Sequence, residues 1–241
     1  MGQLTRCLTT IAAGIVVLAT MSAAHANPVA IFDTSLGSFQ VELFADDAPL
    51  TVANFLHYVN DGDYDGTFIH RTVPGFVMQG GGYAFSNDSA YHILTDPPVV
   101  NEFSVTRSNL RGTIAMAMLG GNPNSATSEW FFNLADNSAN LDNQNGGFTV
   151  FGRVLGNGMQ AVDAIVALPR VNAGSPFETL PVLDANPTFP DDLVMVNSIT
   201  VPEPATLAYA VVAAGTLAMS WSRLHTRRRY RRANRGRTKG G

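Results

Sequence analysis

Through residues 27–200 the apolar positions come in short alternating runs separated by turn residues. Residues 30–33 and 38–44 are β-prone and flank Ser35-Leu36-Gly37, which predicts a hairpin. Within 49–60, Val52, Phe55, Leu56 and Val59 take the i, i+3, i+4, i+7 spacing of an amphipathic helix. Pro49 suits its first turn, and Asp46 or Asp47 is positioned to cap it. Residues 67–71 and 76–79 read as strands around a Pro74-Gly75 corner. Further strands are expected at 113–118, 129–134, 148–154 and 193–200, with a polar loop at 120–128. A second helix is expected at 159–168, carried by Val162, Ile165 and Val166. Many short strands and two helices predict a mainly β domain, a closed barrel rather than a parallel sheet.

Both ends of the chain read as addresses. Residues 1–26 combine an early Arg6, an apolar run over 11–21 and Ala24-His25-Ala26, the pattern of a signal peptide cleaved before Asn27. Signal peptidase is the partner this implies. Residues 201–241 begin Val201-Pro202-Glu203-Pro204, continue with an apolar run over 207–221 and end in an arginine-rich tail. This fifteen-residue run makes a helix of about 22 Å. Extension over about 205–224 reaches the roughly 20 residues a bilayer needs, if Arg223 snorkels. The arrangement resembles the PEP-CTERM sorting signal of Gram-negative bacteria. That resemblance implies processing by an exosortase-type protease and delivery of the body to the cell envelope or exterior. A plain single-span anchor is the simpler alternative.

Charge sharpens this division. Of 15 basic residues, nine lie in 223–239, and the body keeps only Arg71, Arg107, Arg111, Arg153 and Arg170. Against them stand 18 acidic residues, so the body carries a formal charge of −13 and should repel nucleic acid. Hydrophobic residues make up 46% of the 241, enough for a sizeable core in the single domain expected over 27–200. Cys7 is the one cysteine, which excludes a disulfide within the chain.

Familiar catalytic signatures are missing from the sequence. There is no Walker loop and no dinucleotide fingerprint. Gly80-Gly81-Gly82 lacks a following helix that would favour phosphate. His57, on the first helix, His70, in a strand and facing away from Arg71, and His92, in a loop, have no metal-ligand spacing. Neither a metal nor a cofactor is expected. What stands out is Arg71, a lone arginine between apolar runs, followed by a Pro-Gly corner, Gln79 and three glycines. Such an arginine is either ion-paired or presented to a ligand in an apolar cleft.

Ile69-His70-Arg71, Pro74-Gly75-Phe76 and Gln79-Gly80-Gly81 together resemble the signature of cyclophilin-type peptidyl-prolyl cis–trans isomerases. Two further blocks follow in the same order. One is Gly112-Thr113-Ile114-Ala115-Met116-Ala117 with Asn124-Ser125-Ala126-Thr127-Ser128 and Phe131-Phe132-Asn133-Leu134. The other is Asn140-Leu141-Asp142 with Gly147-Phe148-Thr149-Val150-Phe151-Gly152-Arg153-Val154. The resemblance implies a closed eight-stranded antiparallel β-barrel capped by two α-helices. It implies that proline-containing polypeptides are the substrates, that Arg71 is the catalytic donor and that Gln79 orients it and bonds peptide. Phe76, Val77, Phe131, Leu141 and Phe148 would line the proline pocket, and Ala117 and Met118 would border the groove.

The chain departs from that signature in several places. Ile69 replaces a usual phenylalanine, Glu129-Trp130 a usual Gln-Phe pair, and Phe148 a frequent histidine, while Asn140 stands where tryptophan is common. Glu129 borders the expected groove, where a carboxylate would either pair with Arg71 or repel acidic peptides. Two readings follow: an active isomerase of exported proteins, or a non-catalytic module or chaperone that binds proline segments at the envelope. A barrel acting only as a surface scaffold is the weaker third.

Overall fold

The computed structural model describes residues 27–202. The expected signal segment, and the expected sorting segment beyond Pro202, lie outside the described residues. Among those described, no helix is long and apolar enough to cross a membrane.

The strands run β1 (Val29–Thr34), β2 (Gly37–Leu43), β3 (Thr67–Phe68), β4 (Arg71–Val73), β5 (Val77–Gly80), β6 (Tyr83–Ser86) and β7 (Ser89–His92). They continue with β8 (Thr113–Met116), β9 (Trp130–Asn133), β10 (Val150–Val154), β11 (Arg170–Val171), β12 (Leu180–Pro181) and β13 (Met195–Thr200). The helices are α1 (Pro49–Asp61), α2 (Ser138–Leu141) and α3 (Met159–Val166).

The main sheet is ordered β4-β5-β9-β8-β10-β2-β1-β13-β3-β6-β7, and its pairings are antiparallel. Only Ile69 and His70 separate β3 from β4. The Ile69 N–H donates to the Val194 carbonyl (2.9 Å), and the His70 N–H to the Gln79 carbonyl (3.2 Å). The chain changes partner at this point, which is why the single strand expected over 67–71 is two. With β3 and β4 counted as one interrupted strand, the sheet returns on itself through eight strand positions. The fold is mainly β, as the sequence pattern predicts. The β6–β7 hairpin extends from β3 outside this ring. Its turn residues Asn87 and Asp88 have φ of 49° and 61°, the left-handed pair of a tight two-residue hairpin. His92, expected in a loop, is therefore the last residue of a strand.

Inside the ring, Phe32, Phe39, Phe55, Tyr64, Trp130, Phe132 and Phe151 form the centre of the main core. Phe132 meets Phe32, Phe39 and Trp130 edge-on at ring-centroid distances of 5.5, 5.3 and 5.4 Å. Burying each ring stabilises by about 2–3 kcal/mol, and edge-to-face pairs add about 0.5–1.5 kcal/mol each.

Helix α1 covers part of this core with Val52, Phe55, Tyr58 and Val59, and α3 contributes Val162 and Ile165. The capping expected from Asp46 or Asp47 does not occur. The N-cap residue is Ala48, without a side-chain cap. Glu102, distant in sequence, takes the Leu50 and Thr51 N–H groups at 3.1 and 2.7 Å. A carboxylate at a helix N-terminus satisfies orphan donors and meets the positive end of the helix dipole, whichever part of the chain supplies it. The short α2 is a third helical segment besides the two expected.

Candidate active site

Strand register builds the site. Residues directly opposite one another in neighbouring strands share a face. Arg71 on β4 faces Gln79 on β5, Gln79 faces Phe131 on β9, Phe131 faces Ala115 on β8, and Ala115 faces Val150 on β10. These five side chains form one row across the outer face of the ring. The alternate row, Thr72, Met78, Phe132 and Ile114, points into the barrel. Phe131 and Phe132 therefore lie on opposite faces, though both are buried.

The outer row joins a second apolar cluster of Val77, Ala115, Phe131, Leu141 and Val150, with half-buried Phe44, Phe76, Ala117 and Phe148 packed on it. Phe131 and Phe148 pack edge-to-face, with ring centroids 5.7 Å apart. This cluster contains all five residues expected to line the pocket, and also Ala117. Met118, expected beside Ala117, instead packs against the main core. Both follow the end of β8, with Ala117 on the cluster of Ala115 and Met118 on that of Met116.

A buried amide network fixes the floor of the cluster. Asn137 Nδ2 donates to the Phe76 carbonyl (2.8 Å) and to Asn133 Oδ1 (2.7 Å). Asn133 Nδ2 donates to Asn109 Oδ1 (3.1 Å), and Asn109 Nδ2 donates to the Phe148 carbonyl (3.1 Å) and Asp142 Oδ1 (2.8 Å). The backbones of Phe76 and Phe148 are thus tied to one scaffold. Asn109 and Asn137 sit in loops without a local pattern, so the sequence alone does not point to them.

Arg71 is half-buried at the end of the outer row. Its Nη1 donates to Gln79 Oε1 at 3.3 Å. Among the described residues no carboxylate reaches Arg71 within salt-bridge distance, whereas Arg107, Arg111 and Arg153 pair with Asp47, Asp163 and Glu42. Of the two options the sequence leaves for Arg71, an ion pair is not observed among the described residues.

Glu129 does not engage Arg71. Its Oε2 accepts from Gln79 Nε2 at 2.7 Å, its Oε1 lies 3.1 Å from His92 Nε2, and His70 Nε2 stands 3.5 Å from Oε2. Burial pushes the Glu129 carboxyl up, but the donors of His70, His92 and Gln79 outweigh it and bring it to about 2. Tyr83 is raised, by burial first and then by the Glu129 charge. The three-glycine run also finds its reason here. A Cβ at Gly81 would lie 2.5 Å from Trp130 Nε1, and one at Gly82 would lie 2.7 Å from Glu129 Cγ. The glycines make room for the Glu129-Trp130 pair rather than for a phosphate.

The histidines, judged unrelated by spacing, are partly brought together: His70 and His92 flank one carboxylate. His57 lies apart, half exposed and paired with Asp61 and Asp96. Among the described residues no group of three or more His, Cys, Asp or Glu side chains is arranged to hold a metal ion.

Residues 29–186 match the family described as cyclophilin type peptidyl-prolyl cis-trans isomerase/CLD. Peptidyl-prolyl cis-trans isomerase A of Dickeya dadantii is 43% identical over 161 residues, covering 66% of this chain and 81% of that protein. A peptidyl-prolyl cis-trans isomerase of Acinetobacter baylyi is 40% identical over 152 residues, 63% of this chain and 78% of its own length. Peptidyl-prolyl cis-trans isomerase B of Escherichia coli is 34% identical over 176 residues, covering 71% and 98%. Among solved structures, a cyclophilin-type isomerase of Cryptosporidium parvum superposes with a TM-score of 0.55 at 20% identity, over 74% of this chain and 99% of that one. The chain belongs to the cyclophilin-type peptidyl-prolyl cis-trans isomerase family.

Proposed function

We propose that this protein catalyses cis–trans isomerisation of X-Pro bonds in exported polypeptides, with Arg71 as the catalytic residue. The observation that carries the reading is the placement of Arg71, free of any carboxylate partner among the described residues, beside an apolar cluster on the outer face. Amide resonance imposes a rotation barrier of about 18–20 kcal/mol, and lowering it needs no bond to break. The cluster around Phe131 accepts the proline ring and removes water. As the amide twists, its nitrogen regains a lone pair and becomes a better acceptor. A guanidinium aimed there bonds the transition state more strongly than the ground state, which is the condition for acceleration. The reaction requires no metal, cofactor or nucleophile.

Residues 1–26 and 201–241 support a location for this activity. In this reading, signal peptidase releases the body at Asn27, and an exosortase-type protease processes the chain near Pro202-Glu203-Pro204 after transient anchoring over about 205–224. The clients are then proteins folding in the periplasm, the envelope or outside the cell. The intact mass of protein recovered from its native envelope tests this, since a mass that retains residues 1–26 contradicts it.

The binding-module alternative rests on Glu129, as a partner for Arg71 or as a charge that repels acidic peptides. That Glu129 bonds Gln79 rather than Arg71 supports the isomerase reading. Exchange of a short X-Pro peptide, followed by NMR with catalytic amounts of the full chain, tests the isomerase reading. Arg71→Ala is expected to lose about 100-fold in turnover, the usual cost of removing one transition-state donor. No acceleration by the unmodified chain would overturn it.

A further inference from the structure

Gln79 has two nearly identical ends, one acceptor and one donor, and only its partners decide which end faces Arg71. The guanidinium is donor-only and the Glu129 carboxylate acceptor-only. With Nε2 on Glu129 at 2.7 Å and Oε1 on Arg71 Nη1 at 3.3 Å, both contacts are matched. Turning the amide over would set N–H against guanidinium and oxygen against carboxylate, so both would be lost together.

Glu129 is itself held from behind. His92 Nε2 faces its Oε1 at 3.1 Å, while His92 Nδ1 lies 2.8 Å from the Ile93 carbonyl. Both ring nitrogens thus face acceptor oxygens. His70 Nε2 lies 3.5 Å from Oε2, and its other nitrogen is buried without a hydrogen-bond partner among the described residues. The backbone of Gly82 passes so close that any Cβ there would strike the Glu129 side chain. The charged and titratable groups around the carboxylate are therefore His70 from the β3–β4 link, Tyr83 from β6, His92 from β7 and, through Gln79, Arg71 from β4.

We infer that Glu129 is a positioning residue: held by His92, it locks the Gln79 amide in the one orientation whose oxygen receives Arg71, and so sets the aim of the guanidinium. The lock ties the β6–β7 hairpin to turnover, since His92 is the last residue of β7. It assigns Glu129 a role away from the peptide and toward the catalytic donor. The inference rests on the isomerase reading of Arg71.

A double-mutant cycle separates positioning from mere structure. Glu129→Gln preserves shape but offers Gln79 either a donor or an acceptor, so the orientation is no longer fixed. Its kcat is expected to fall about tenfold, toward the lower end of what losing a charge-assisted hydrogen bond produces, with KM changed less than about twofold. In a Gln79→Ala background the same substitution is expected to change kcat less than about twofold. An equal loss in both backgrounds, or no loss in either, would overturn the inference. The Gln79 side-chain amide signals in the ¹⁵N–¹H spectrum of the full chain give a readout independent of turnover. They are expected to shift and exchange faster with solvent in Glu129→Gln while the backbone pattern persists. Unchanged Gln79 signals would refute the lock. An unmodified chain without turnover would instead remove the isomerase reading and the catalytic consequence with it, and the amide signals would still decide the contact.

Discussion

Phe131 and Phe132 are adjacent, chemically identical and both buried, yet truncating them should have opposite consequences. Phe132 is fully buried in the barrel, with three aromatic rings within 5.5 Å between centroids. Phe132→Ala removes those contacts and leaves a cavity that closely packed strands cannot close, at a cost of about 5 kcal/mol. That loss is comparable to the whole stability of a marginal domain. Phe131 lies on the outer face with one aromatic neighbour, Phe148 at 5.7 Å. Water can enter the space that Phe131→Ala opens, so its cost should be at most about 3 kcal/mol, leaving the protein folded. The lost apolar contact with a proline ring, about 2 kcal/mol, should lower kcat/KM about 30-fold. Urea denaturation and isomerase assays on both variants read the two effects separately, and Phe131→Leu should recover much of the activity. A folded Phe131→Ala variant with kcat/KM within twofold of the parent would refute the pocket assignment. A Phe132→Ala variant as stable as Phe131→Ala would refute the assignment of faces.

Glu129 links stability to pH: its carboxyl is lowered from 4.5 to about 2, so its contribution is complete above pH 4.5 and is lost as pH falls from there toward 2. The contribution is at most about 3 kcal/mol, and the stability gap between the parent and Glu129→Gln in urea melts should shrink from pH 6 to pH 3. Glu102→Ala removes the acceptor for two N–H groups of α1 and should cost about 1–2 kcal/mol, visible as a lower denaturation midpoint with an unchanged slope. Gly81→Ala combines a φ of +78° with a 2.5 Å approach to Trp130. Its thermal midpoint should therefore fall by an amount equivalent to more than about 2 kcal/mol.

Where the sequence alternates or repeats at helical spacing, it announces the structure. The β1–β2 hairpin, α1 and α3 follow from the apolar spacing of their own residues, because each buries one face on the same core. The outer row was legible as residue types, through the ordered motif blocks, but not as a row. That required the register of five strands, and register is a property of pairs. Met118 shows the limit: motif position assigns it to the groove border beside Ala117, while its side chain packs against the main core. The α1 cap was misplaced because Glu102 lies far along the chain, where no local pattern points to it. Asn87-Asp88 is a hairpin signal, and the strand it implies ends at His92. The meeting of His92 with Glu129 and His70 is not legible in the sequence, since three separate segments converge there.

The central claim is that Arg71 acts on the twisting amide and not on the resting one. Binding and turnover of one X-Pro peptide by the parent and by Arg71→Ala, measured in the same NMR titration, test it most directly. The account predicts that Arg71→Ala binds the peptide within about threefold of the parent while its catalysed exchange rate falls about 100-fold. Equal losses in binding and exchange, or an unchanged exchange rate, would contradict it.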